Sequence, residues 1–140
     1  MQLKQVSLEV VNSFNKDTLM EQLGITCIEI GTDYLVATMP VDHRTHQPMG
    51  LLHGGASAAL IESIGSMGST LLIDLKKEAP VGLEINANHL KGVRDGYVRA
   101  VGKLVHAGMR THLWQVDIYD GESTRLVCTG RLTVMIIPAR

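Results

Sequence analysis

The stretch Met49-Gly50-Leu51-Leu52-His53-Gly54-Gly55-Ala56-Ser57-Ala58-Ala59-Leu60-Ile61-Glu62-Ser63-Ile64-Gly65-Ser66 decides how the rest of the chain is read. A short loop runs into a histidine and two glycines, and a long apolar segment without proline follows. The spacing predicts one helix over Ala56 to Leu75, because Leu60, Ile61, Ile64, Met67, Leu71 and Leu72 fill most of its circumference. Ala58, Ala59, Gly65 and Gly68 occupy much of the rest, so other backbones can come close. Such a helix is buried. Between Arg44 and Asp74 its Glu62 is the only formally charged side chain, and a buried carboxylate is costly unless paired or hydrogen-bonded.

Working outward, 140 residues fit one domain spanning 1–140, with length enough for a sizeable core. A net charge of −1 offers no basic surface to nucleic acid and no acidic tail. Hydrophobic content of 45% with mixed charge argues against disorder. Cys27 and Cys128 form no CxxC pair, so neither a disulfide framework nor a thiolate zinc site is indicated. The first residues lack the apolar run of a signal peptide, and no apolar stretch is long enough to span a bilayer. The expectation is a soluble, cytoplasmic protein.

Before the central helix, Ser7 to Asn15 reads as a short helix. Thr18-x-x-Glu21 reads as a capped second helix that stops at Gly24. Ile25 to Ile30 and Tyr34 to Met39 flank Gly31-Thr32-Asp33 as a hairpin, and Val41 to Leu52 is a loop. Lys76 to Pro80 reads as the polar turn ending the central helix. After it the texture is that of strands. Val81 to Leu90 alternates, with Leu83, Ile85, Ala87 and His89 opposite Glu84, Asn86 and Asn88. Val98, Ala100, Gly102 and Leu104 form one face of the next strand, and Trp114, Val116 and Ile118 one face of the strand after it. Asp120-Gly121 turns the chain into a final Val/Ile-rich strand, Leu126 to Ile137.

One long helix with five or six strands in a mainly antiparallel order makes an α+β domain, with the sheet curled around the helix. One sheet covers only part of a helix that is apolar all round, so a second copy is expected to cover the rest, giving at least a homodimer.

The chemistry concentrates in the central stretch. Gly54 and Gly55 stand where helix N–H groups lack partners and the dipole is positive, a place for an anion or a developing oxyanion. Taken alone, two glycines are ordinary punctuation, and a lone loop His53 or Gln47 says little. Glu62 says more: a desolvated carboxylate suits a general base or nucleophile. Eight residues of helix separate Gly54 from Glu62 by about 12 Å, too far for both to reach one carbonyl. If they cooperate, His53 and Gly54 come from one subunit and Glu62 from its neighbour. Other motifs are weaker. Gly55-Ala56-Ser57-Ala58-Ala59 half-matches a nucleophile elbow. His43-x-x-His46 has metal spacing but no clustered Cys or carboxylate, so no metal site is assigned. The hairpin His106 to Thr111 offers a cation, a hydroxyl and flexible backbone for a phosphate, and Lys91 and Arg94 add positive charge.

Gln47-Pro48-x-Gly50-x-Leu52-His53-Gly54-Gly55 followed by Glu62-Ser63-x-Gly65-Ser66 resembles the hotdog-fold acyl-CoA thioesterases of the phenylacetate/4-hydroxybenzoyl-CoA type. The similarity continues through Val81 to His89 and Trp114-Gln115-Val116, and covers nearly the whole chain from about Ile25. The resemblance implies a hotdog subunit paired into a dimer and then a tetramer, with active sites shared between subunits. It implies hydrolysis of an acyl-CoA or acyl-carrier thioester without metal or redox cofactor. Glu62 would activate water or attack the carbonyl, and the Gly54 N–H would hold the oxyanion. His53 and Gln47 would position and polarise the thioester. Gly55 and Ser66 would line the site, Ser66 toward the acyl pocket. His89 and Gly108, Met109, Arg110 and Thr111 would contact the CoA portion. Two alternatives stay open: a hotdog acyl-CoA hydratase, which looks for an Asp/His pair, and a non-catalytic acyl-CoA-binding module, which has no need of Glu62. Naphthoyl, benzoyl and medium-chain fatty acyl groups all suit a pocket of Met and Leu.

Overall fold

Ser7, Thr18 and His53 each accept a hydrogen bond from a backbone N–H of the turn that follows, so each starts a helix. The computed structural model describes residues 1–140. In chain order it contains α1 (Leu8–Ser13), α2 (Leu19–Leu23), β1 (Thr26–Ile30), β2 (Tyr34–Pro40), α3 (Gly54–Thr70), β3 (Glu78–His89), β4 (Tyr97–Ala107), β5 (Thr111–Asp120) and β6 (Leu126–Pro138). Gly24 closes α2 in the left-handed region at φ 71°, the conformation that a C-terminal glycine adopts without a Cβ penalty. The strands form one six-stranded sheet in the order β1-β2-β4-β5-β6-β3, antiparallel at every pairing. The hotdog architecture expected from the sequence is therefore present, with all six strands in one sheet and α3 packed against it.

The helix itself differs from the expected Ala56 to Leu75. It takes in both glycines at its start and ends at Thr70. Leu71 N–H and Leu72 N–H reach back only three residues, to Gly68 and Ser69, at 3.1 Å each. Leu71 and Ile73 are still buried in the turn beyond. Their side chains continue the apolar pattern after the backbone has left the helix, which is why periodicity overran it. Lys76 to Pro80 also differs from the expected turn: β3 already begins at Glu78. Pro80 is tolerated there because β3 is an edge strand, with one side lacking a partner.

Leu60, Ile61, Ile64 and Met67 pack into one core with Trp114, Val116, Ile118, Leu132 and Val134 from the sheet. Gly65 sits so near the sheet that a β-carbon there would come within 2.6 Å of Leu132 Cδ2. Trp114 is fully buried, and its Nε1–H donates to Ser69 Oγ at 3.0 Å. His112 Nδ1 lies 3.0 Å from the same hydroxyl. Strands β4 and β5 alternate as the sequence predicts, with Val98, Ala100, Gly102, Trp114, Val116 and Ile118 buried. Strand β3 does not. Leu83 and Ile85 are 55% and 37% exposed, and their neighbours Glu84 and Asn86 are exposed too. Its register shifts between Gly82 and Glu84. One face of β3 meets α3 at Gly82 and Ala87, but its outer edge has no strand partner within one chain and much of the strand is exposed. No helix is long and apolar enough to cross a membrane.

Candidate active site

The loop before α3 delivers His53 as its N-cap. His53 Nδ1 accepts the Gly55 N–H at 2.7 Å, so the neutral ring carries its proton on Nε2 and presents a donor away from the helix. That bond occupies the Gly55 N–H. The Gly54 N–H, at the first helical position, has no partner within the helix, and it points along the positive end of the dipole. Gly54 is also a point of close approach: a β-carbon on it would come within 2.8 Å of His89 Nε2. The structure thus brings Gly54 and His89 together at one end of α3, while the His53 side chain lines a separate opening with Gly55 and Ala59.

Gln47 joins Gly54 and His89. Its Oε1 accepts the Met49 N–H within the turn before α3, which leaves the Nε2 amide as its free donor. Gln47, Gly54, Ser57, His89 and Lys91 line one open cavity of about 360 Å³. Four residues able to donate a hydrogen bond and one bearing an ammonium group therefore line a single space.

Glu62 stands two turns further along α3, about 12 Å from Gly54 by helical rise. It is half-buried, and its side chain lies against Gly82 of β3, where a β-carbon would collide with Oε1. Burial raises its carboxyl above the ordinary value, and no partner offsets the desolvation. A carboxylate held in this way is a stronger base than one in water. Ser66, one turn beyond, opens on a second cavity of about 340 Å³, bounded by Val11, Phe14, Asn15, Ser63 and Met67.

Within one chain the structure does not bring Glu62 to Gly54, nor the Gly108–Thr111 connection to either cavity. Thr111 pairs with Met135 whereas His89 pairs with Cys128, seven residues along β6, or about 23 Å. Met109 and Arg110 are exposed at that far end. His43 is an exposed neighbour of Asp42, and His46 donates Nε2–H to the Arg94 carbonyl at 2.7 Å. The sequence reading missed Gly82 and Asn15 as parts of the site. A glycine inside a strand pattern was the available signal for Gly82, since such glycines mark bulges and close approaches. No local signal marks Asn15, whose place depends on tertiary packing.

The Thioesterase superfamily sequence model matches residues 49–127. The chain is 48% identical over 134 residues to the 1,4-dihydroxy-2-naphthoyl-CoA hydrolase of Escherichia coli K12, which covers 96% of this chain and 97% of that protein. It is 46% identical over 134 residues to the proofreading thioesterase EntH of Cronobacter sakazakii, covering 96% of each. A crystal structure of a thioesterase from Haemophilus influenzae superposes with a TM-score of 0.92 at 43% identity, over 99% of this chain and 96% of that one. With the helix-in-sheet architecture and the His53-capped helix already described, these likenesses establish that the chain belongs to the thioesterase superfamily of hotdog thioester hydrolases.

Proposed function

We propose that the protein hydrolyses the thioester of an aromatic or medium-chain acyl group carried on CoA or an acyl carrier, at sites shared between two subunits. One observation carries this reading: Glu62, desolvated and unpaired, lies about 12 Å along α3 from the free Gly54 N–H and against β3, whose outer edge has no strand partner in its own chain. Two copies joined through β3 extend the sheet across a two-fold axis and bury Val81, Leu83 and Ile85. Each Glu62 then faces the other subunit's His53-Gly54, and pairing of two such dimers gives a tetramer.

In this arrangement the thioester oxygen accepts from Gly54 N–H and from His53 Nε2–H, with the Gln47 amide beside them. The Glu62 carboxylate of the other subunit either takes a proton from an attacking water or adds to the carbonyl carbon itself. Collapse of the tetrahedral species breaks the C–S bond, and the thiolate leaves as the thiol. On the general-base route the free acid forms directly; on the nucleophilic route the acyl group is left on Glu62 as an anhydride, which water then hydrolyses to the free acid and regenerated carboxylate. His89 and Lys91 attract the phosphates of CoA, and the acyl group enters the cavity beyond Ser66. The Gly108–Thr111 hairpin, with Met109 and Arg110, would reach CoA only from another subunit. The scheme draws on a carboxylate and peptide dipoles, with no metal or redox cofactor, and it suits the cytoplasmic pool of CoA esters. The named activities of the relatives support it.

The test is thiol release from benzoyl-, 1,4-dihydroxy-2-naphthoyl- and fatty acyl-CoA by wild type and Glu62→Gln side by side. Turnover that disappears in the variant supports a Glu62-dependent thioesterase. CoA esters that bind without turnover would make the protein a binding module instead.

A further inference from the structure

The cavity beyond Ser66 does not end the apolar space beside α3. A second hollow of about 290 Å³ lies beside the last turn of the helix and the residues that follow, with Val6, Val10, Leu71 and Ile73 in its walls. Val11, Phe14, Thr70 and Leu75 line both hollows and so mark their junction. Val11 is buried and the Thr70 hydroxyl donates to the Met67 carbonyl at 2.7 Å, so these two form a fixed floor. Phe14 and Leu75 are 64% and 48% exposed, which makes them the large side chains at the junction that packing does not lock.

The cleft exists because α1 is held to the sheet rather than to α3. The Asn12 side chain stands in for a strand at the open edge of β1: its Nδ2–H donates to the Cys27 carbonyl and its Oδ1 accepts the Cys27 N–H, each at 2.8 Å. Asn15 Nδ2–H adds a bond to the Ile25 carbonyl at 2.9 Å. With α1 packed chiefly on β1, the space between it and α3 is left open. The N-terminal segment closes the far end, where Lys4 N–H donates to the Leu71 carbonyl at 3.0 Å and the Lys4 ammonium to the Ile73 carbonyl. The result is one apolar slot along α3, pinched midway by Phe14 and Leu75.

We propose that this slot takes a linear acyl chain and that Phe14, with Leu75, sets the chain length the enzyme prefers. The proposal rests on the thioesterase reading, since it takes Glu62 as the place of the carbonyl. Continuity identifies the occupant: the slot begins at Ser66, and charge enters its walls only at the far end, on Lys4, Asp74 and Lys76. Thr70 lies eight residues, or about 12 Å, beyond Glu62 along α3. An extended alkyl chain with C–C bonds of about 1.5 Å advances about 1.3 Å per carbon, so about its ninth carbon reaches the junction. Shorter chains stop in the first hollow, and longer ones must displace the Phe14 ring. A single aromatic ring stops short of the junction, so the device sorts linear groups.

The experiment measures kcat/KM for saturated esters from hexanoyl- to hexadecanoyl-CoA in wild type, Phe14→Ala and Phe14→Ala/Val10→Trp. In wild type the value should stop climbing near decanoyl-CoA. Each methylene buried past the junction is worth about fourfold, so Phe14→Ala should raise the tetradecanoyl-to-octanoyl ratio by about tenfold or more. Val10 borders the second hollow and not the first, so Trp there refills it and returns the ratio toward wild type. The ratio is taken within each protein, so any loss of folded enzyme cancels. A wild-type value that still climbs beyond dodecanoyl-CoA overturns the proposal. So does a ratio that Phe14→Ala leaves unchanged, or one that the second substitution fails to lower. Hydrolysis of none of the esters instead overturns the thioesterase reading, and this inference with it.

Discussion

The carboxyl of Glu62 on α3 occupies the space that a side chain on Gly82 of β3 would need. The strand glycine is therefore as much a part of the site as the acid it accommodates. Gly82→Ala pushes aside the tip of a flexible side chain rather than a backbone, so the fold survives while Glu62 is displaced. The expected outcome is an intact thermal transition with kcat lower by about 10²-fold, the cost of an ångström's misplacement. A wild-type rate would mean that Glu62 does not act from this position.

Glu62→Gln separates catalysis from stability. If Glu62 is the proposed base or nucleophile, its removal lowers kcat by about 10²–10⁴-fold. Burial raises the native carboxyl above its unfolded value, so the native state holds the proton more tightly. Stability is then greatest below the unfolded value and falls as pH rises through the raised one. Above that window the charge is a burden that Gln lacks. Thermal melts at neutral pH should place Glu62→Gln at or above wild type, and acidification should narrow the gap.

His53 has two duties that two substitutions pull apart. As N-cap it accepts the Gly55 N–H, a role Asn fills well, whereas Ala leaves that N–H bare at a cost of about 0.5–2 kcal/mol. Both variants lose the Nε2–H donor that the proposed mechanism uses on the thioester. Denaturant titration should show His53→Asn near wild-type stability and His53→Ala below it, with hydrolysis depressed in both. An active His53→Asn would reduce the histidine to a cap.

Subunit mixing tests the shared site. Glu62→Gln and His53→Ala are each inactive alone, yet a hybrid dimer of the two has one site with neither substitution. Equal mixing with free exchange should restore about a quarter of wild-type activity. Ile85→Lys, which puts charge on the edge of β3, should yield monomers by sedimentation and abolish activity. Full activity in a monomer would defeat the shared-site arrangement.

Ser69 ties the sheet to the end of α3. Its hydroxyl accepts from Trp114 Nε1–H and donates to His112 Nδ1, both buried. Ser69→Ala strands two polar groups and should cost about 2–4 kcal/mol in equilibrium unfolding. Burial lowers the His112 value below the ordinary 6.5; His106 adds to that shift and Glu78 opposes it. The native state therefore binds this proton more weakly than the unfolded chain. The stability tied to neutral His112 is complete above about pH 6.5 and declines as pH falls below it. His112→Gln should flatten that part of the pH profile.

The sequence made local and periodic features legible. Gly24 as a helix stop and the alternation at Trp114, Val116 and Ile118 follow from backbone conformation and one buried face. The glycines after His53 sat where a helix begins, and helical rise alone separated Gly54 from Glu62. Features set by contacts between distant segments were not legible. Leu71 and Ile73 extend the apolar pattern from a turn, so composition could not mark the end at Thr70. The alternation of Val81 to Leu90 promised a buried face that a single chain does not supply. Asn15 carries no pattern at all; only the fold brings it to the wall of the Ser66 cavity.

The unpartnered edge of β3 would tie catalysis to concentration under the proposed shared site. If each site needs both subunits, a diluted preparation loses specific activity as its dimers dissociate, without any unfolding. A substrate spanning the two chains reverses the loss, since whatever binds only the dimer shifts association toward it. Such an enzyme would be assembled by the thioesters it consumes, and its apparent dimer affinity would then report the substrate level around it.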